Sequence, residues 1–112
     1  MNKEKDMVKK DVHYLEVIPA ADIIDEEKDA ILILEVPGAN SKSVSVEVKN
    51  QVLSVEAKST LTHGGAPLLY KRAFQLSDAV DVENISAKTQ DGVLTLTLPK
   101  SERAKVHRIA VE

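Results

Sequence analysis

The chain has 112 residues and few side chains that could do covalent or proton chemistry. Its three histidines are His13, His63 and His107. None stands at a metal-ligand spacing such as i, i+4 beside a glutamate, so each reads as a surface residue. There is no cysteine, which rules out a thiol nucleophile, a disulfide framework and a cysteine-rich zinc site. No G-x-S-x-G elbow and no G-x-G-x-x-G phosphate loop occurs. Gly64-Gly65 alone is a hinge. Asp25-Glu26-Glu27 gathers three carboxylates, but a contiguous acidic run reads as a solvated turn. The sequence therefore names no catalytic residue, no metal ligand and no cofactor, and an enzyme reading has no positive support. Fifteen basic residues against eighteen acidic ones give a net charge of −3. With only Tyr14, Tyr70 and Phe74 as aromatics, a basic stripe and a stacking platform for nucleic acid are both missing.

The positions of these residues depend on the elements around them. Val, Leu and Ile number 14, 11 and 7, enough aliphatic mass for one compact core. The longest apolar run is Ala30 to Leu34, far below the roughly 20 residues a bilayer span needs. The charged start MNKEKDMVKKD has no signal-peptide core. The expectation is a soluble, cytoplasmic, single-domain protein without a nucleic-acid or membrane partner.

Residues 1–18 read as an arm. Met7, Val8, Val12, Tyr14, Leu15 and Ile18 lie near helical spacing, so the arm is either a short amphipathic helix or a segment that orders on a partner. From residue 20 the period becomes two. Val44, Val46 and Val48 alternate with polar residues, as do Leu53, Val55 and Ala57, and Leu94, Leu96 and Leu98. Ala30 to Val36 is apolar on both faces, which suggests a central strand covered on both sides. Pro37-Gly38, Asn50-Gln51 and Asp91-Gly92 punctuate the strands as turns. His63 to Pro67 reads as a flexible loop, and Pro99 as the stop of the last strand. The fold class expected is all-β, an antiparallel β-sandwich over residues 19–99. Residues 100–112 form a tail whose basic linker ends in Ile109-Ala110-Val111. An apolar pair at the tip of a polar tail is unusual.

The pieces, taken in order, resemble the small heat-shock protein (α-crystallin domain) family. Ala87-Lys88-Thr89-Gln90-Asp91-Gly92-Val93-Leu94 is similar to its A-x-x-x-n-G-V-L signature, with Asp91 for the usual asparagine. Ala21-Asp22-Ile23, Leu34-Glu35-Val36-Pro37-Gly38, Phe74-Gln75-Leu76 with Asp81-Val82, and the tail I-x-V match its other segments. The resemblance implies an immunoglobulin-like sandwich of seven to eight strands that forms a homodimer and then a larger homo-oligomer. It also implies an ATP-independent holdase whose partners, besides itself, are non-native client proteins. A second reading is a monomeric co-chaperone-like adaptor that docks on one folded partner; such sandwiches lack the tail motif.

Carried over, the resemblance makes Arg72 the dimer-interface arginine, paired with a carboxylate across the interface. A plain edge-strand arginine is the other reading. Ile109 and Val111 become knobs that dock in a groove on a neighbouring subunit, against a frayed end as the alternative. Val44, Val46, Val48, Ile85 and Ala87 become groove-lining candidates, although each could simply fill the core. The interval from Ala57 to Arg72 is shorter than in bacterial-type members, where a strand within residues equivalent to 58–70 swaps between subunits. The resemblance to animal members then implies a dimer that pairs along the Leu68–Phe74 edge instead. The arm is also short and poor in aromatics.

Overall fold

The period-two runs fold as strands, because alternating apolar residues can bury one face of a pleated sheet and leave the other in water. The computed structural model describes residues 12–102 and 108–112. Met7 and Val8 of the arm, and Arg103, Lys105 and His107 of the tail, lie outside the described residues. Eight strands follow one another: β1 (Leu15–Val17), β2 (Ala21–Asp25), β3 (Asp29–Glu35), β4 (Val44–Lys49), β5 (Val52–His63), β6 (Ala66–Gln75), β7 (Ser86–Gln90) and β8 (Val93–Pro99). They form two four-stranded sheets with orders β1-β6-β5-β4 and β2-β3-β8-β7. A single 3-10 turn, Val82–Asn84, lies between β6 and β7. This is the expected all-β sandwich, with eight strands.

The registers show why the core lies between the layers. In one sheet Leu34 faces Leu94 and Leu32 faces Leu96. In the other, Val46 faces Val55, and Ala57 faces Tyr70. Residues directly opposite share a face, so these rows meet as one cluster, in which Leu34, Leu53 and Leu96 are fully buried. The neighbours β4–β5, β5–β6 and β7–β8 are joined by two-residue turns at Asn50-Gln51, Gly64-Gly65 and Asp91-Gly92, all at positive φ. Such paired left-handed residues match the twist of hairpin strands.

Three expectations are corrected. Leu15–Val17 is a strand and not part of an arm helix. Leu15 and Val17 alternate with Glu16 as well as falling at helical spacing, and the edge of β6 supplies the missing hydrogen bonds. The run Ala30 to Val36 is covered on one side only. Leu32 and Leu34 are buried, while Ile31 and Ile33 face outward and are half-buried. His63 to Pro67 is no loop, since β5 runs to His63 and β6 starts at Ala66. As expected, β8 ends at Pro99, which pairs with Asp29 as its last residue; a proline lacks only the donor, and its carbonyl accepts from Asp81 N–H at 2.8 Å.

Candidate functional site

A two-layer sandwich has open seams where the edge strands of its two sheets meet. On one side the edges are β4 and β7. Along β4, Val44, Val46 and Val48 turn inward and are half-buried, while Ser45, Glu47 and Lys49 are exposed. Ala87 of β7 lies opposite Leu96 and is exposed. Two clefts follow this seam. One, of about 220 Å³, is lined by Val44, Val46, Ala87 and Leu94. The other, of about 330 Å³, is lined by Val46, Val48, Val82, Ile85, Ala87 and Leu96. All five groove candidates therefore line one apolar seam. Val44, Val46, Val48 and Ile85 also pack against the core, so the two readings of these residues describe two sides of the same side chains. Sequence reasoning missed Leu94 and Leu96 as the floor of the seam and Val82 as part of its wall. The Leu94-x-Leu96 alternation was legible as a strand, but which strand edge would lie over it is a matter of topology.

Ile109 and Val111 are 85% and 92% exposed. In an extended segment, side chains two residues apart point the same way and stand roughly 6.5 Å apart. The inward valines of β4 repeat at the same spacing.

On the opposite side the edges are β2, and β6 with β1 beyond it. A cleft of about 420 Å³ opens here, lined by Ile23, Leu32, Phe74, Leu76, Val80 and Leu98. Ile23 lies on the core-facing row, opposite Leu32, yet is 66% exposed. Arg72 shares this side. It lies opposite the buried Val55 and is itself half-buried. Its Nη1 donates to the Pro19 carbonyl at 2.9 Å, and its guanidinium lies 5.0 Å from the Phe74 ring centre. Within the chain, then, the arginine binds a main-chain carbonyl. The Leu68–Phe74 edge is partly occupied as well: β1 pairs in parallel with Leu68, Leu69 and Tyr70.

The histidines are not brought together. His13 and His63 are exposed, and His107 lies outside the described residues. Among the described residues no three His, Asp or Glu side chains are placed to hold a metal ion. In the acidic run, Asp25 pairs with Lys100 at 2.8 Å, and the Glu26 carbonyl accepts from the same ammonium. No helix of the described residues is long and apolar enough to cross a membrane.

Comparison with known proteins sets this geometry in context. A family model described as Hsp20/alpha crystallin family matches residues 22–112. A probable 15 kDa heat shock protein of Leptospira interrogans is 33% identical over 90 residues, covering 73% of this chain and 69% of the relative. The 18 kDa antigen 2 of Mycobacterium avium is 30% identical over 104 residues, covering 83% and 75%. Among solved structures, a small heat-shock protein from Xylella fastidiosa superposes with a TM-score of 0.67 at 23% identity, covering 86% of this chain and 97% of that one. Heat shock protein 16.0 from Schizosaccharomyces pombe gives 0.67 at 20% identity, covering 86% and 99%. At these identities the structures speak for the fold.

Proposed function

The chain belongs to the Hsp20/alpha crystallin family, and we propose that it is an ATP-independent holdase that captures unfolding proteins and assembles through dimers linked by its tails. Membership of the family makes the chaperone role the general expectation. The observation that carries the finer reading is the pairing of an open apolar seam with an exposed apolar tip. The β4–β7 seam presents Val44, Val46, Val48, Ile85 and Ala87, and the tail presents Ile109 and Val111 at matching spacing. Exposed apolar surface of this kind is a liability unless a partner covers it. From Glu102 to Ile109 the chain spans seven residues, a reach of roughly 24 Å when extended, which suits docking on a neighbouring subunit.

The homodimer uses the other side of the sandwich. There β6 offers its edge and Arg72 its guanidinium, which becomes a charge-assisted contact once a second copy approaches. Clients are bound by the same apolar surfaces when assembly contacts loosen. None of this needs a cofactor or a bond-breaking step. Residues 1–14 and 100–112 act as arm and tail around the sandwich.

The test is light scattering of heated, aggregation-prone proteins with and without a molar excess of this chain, in the absence of ATP. The expected outcome is suppressed scattering for several unrelated clients. Unchanged scattering for all of them overturns the holdase reading.

A further inference from the structure

β1 is the shortest strand of the sandwich among the described residues. It has three residues and makes the fold's one parallel pairing among the described strands, against Leu68, Leu69 and Tyr70. Parallel ladders are somewhat less stable per residue than antiparallel ones. Leu15 and Glu16 are exposed and Val17 only half-buried. Two side-chain contacts hold the segment at its ends. Lys58 Nζ lies 5.7 Å from the Tyr14 ring centre, and Arg72 Nη1 binds the Pro19 carbonyl. Past β1, the ladder edge of β6 from Lys71 to Gln75 has no strand beside it among the described residues.

The edge beneath is well suited to its own copy. An antiparallel pair of β6 strands related by a two-fold axis at Lys71 matches Tyr70 with Arg72, Leu69 with Ala73, Leu68 with Phe74 and Pro67 with Gln75. Leu68 then meets Phe74 on one face and Leu69 meets Ala73 on the other, one apolar pair to each face on either side of the axis. The single like-charge pair, Lys71 against Lys71, is flanked on each side by Glu56, which lies opposite Lys71 in β5 with its carboxylate 4.0 Å from the ammonium. This pairing covers residues 67–75. It needs the stretch Leu68–Tyr70 that β1 occupies.

We propose that β1 is a displaceable strap: the Leu68–Tyr70 edge of β6 is covered either by the chain's own β1 or by β6 of a second copy, and never by both. This rests on the homodimer reading above and adds its control. A lone chain keeps the Leu68–Tyr70 part of its edge closed, and at higher concentration a nine-residue antiparallel ladder replaces a three-residue parallel one. Arg72 is the latch, since it releases the Pro19 carbonyl when the strap leaves and faces the partner strand.

The chain's lack of cysteine allows a direct test. Glu16→Cys with Leu69→Cys places two thiols at partner positions, on the exposed side of the pairing and within reach of one disulfide. The full chain also carries Ile109→Ala and Val111→Ala, so that only the dimer is read. Sedimentation velocity over a concentration series then gives the dimer dissociation constant for the oxidised and reduced forms. Oxidation is expected to weaken the dimer at least tenfold, with circular dichroism unchanged. A Val17→Pro chain, whose strap cannot complete its ladder, is expected to dimerise more tightly than its parent. Equal dimerisation of oxidised and reduced forms overturns the strap, as it means that β1 stays seated while copies pair through Lys71–Gln75 alone. Failure of the disulfide to form also overturns it. If neither the reduced chain nor Val17→Pro dimerises at all, the homodimer reading itself falls.

Discussion

The Pro37 carbonyl is a small hub on which three distant parts of the chain converge. It accepts from Ser59 Oγ at 2.8 Å and from Tyr70 Oη at 2.9 Å. Ser59 is buried, and its oxygen in turn accepts from Leu61 N–H at 2.9 Å. Gly38 follows at φ +87, and a Cβ there would fall 2.1 Å from Ser59 Oγ. Gly38→Ala must therefore adopt a disfavoured left-handed backbone and also push the serine aside. The expected loss is about 3 kcal/mol, from roughly 1–2 for the backbone and roughly 1–3 for overpacking. Ser59→Ala removes one donor to Pro37 and leaves Leu61 N–H without its acceptor, a loss of about 1–3 kcal/mol. Tyr70→Phe keeps the packing and loses one hydrogen bond, about 1 kcal/mol. Urea midpoints rank the three; a Gly38→Ala midpoint equal to the parent's contradicts the account. Pro37-Gly38 was legible in the sequence as a turn, because both residues restrict the backbone in ways a turn requires. Its partners were not legible. Ser59 and Tyr70 lie 22 and 33 positions from Pro37, and nothing local marks a serine in an alternating strand as a hydrogen-bond donor to a remote carbonyl.

Strands and hairpins were the most legible elements, since alternation and a left-handed turn pair are both local signals. Asn50-Gln51 and Asp91-Gly92 fall where the turns were expected. Edges were the least legible. The segment from Leu15 to Val17 satisfies two periods at once, and only the unfilled edge of β6 decides between them. The seam is intermediate: its lining could be named from the family resemblance, whereas its floor at Leu94 and Leu96 needed the register. The proposed docking role is testable at this scale because Ala87 is exposed on an edge strand. Ala87→Arg places a long charged side chain across the seam without touching the buried core. It is expected to lower the native mass of any assembly to that of the dimer, with an unchanged circular dichroism spectrum and a urea midpoint close to the parent's. The complementary change, Ile109→Ala with Val111→Ala, is expected to give the same native mass from the other side of the contact. The two together are expected to be no worse than either alone, since both remove one interaction. Additive losses of mass place the knobs and the seam in different contacts.

For the whole molecule, the energetics of one tail contact set the response to heat. Burying Ile109 and Val111 contributes roughly 1.5–3 kcal/mol each. Fixing the backbone of the three motif residues Ile109 to Val111 costs about 1–2 kcal/mol per residue, so a single docked tail is nearly balanced against a free one. An assembly is then held by repetition: once one tail is docked, the others act at high effective concentration. The two opposing terms scale differently on warming. The entropic cost of ordering the tail rises in proportion to temperature, while the apolar gain per unit area levels off. Because many near-balanced links act together, modest heating is expected to reduce the native mass steeply, well below the temperature at which the sandwich unfolds, and to open the β4–β7 seams as it does so. Native mass by light scattering, seam exposure by binding of an apolar fluorescent dye, and far-ultraviolet circular dichroism can be followed on one temperature ramp. The expected order is loss of mass together with gain of dye fluorescence, then loss of circular dichroism at a higher temperature. Client capture, measured at points along the ramp, is expected to rise with the first transition. In the Ile109→Ala, Val111→Ala chain the first transition is expected to vanish, with dye binding already high at low temperature and capture no longer improved by mild heating. A parent chain whose capture rises while its mass stays constant would show that tail release is not the gate and that clients meet some other surface.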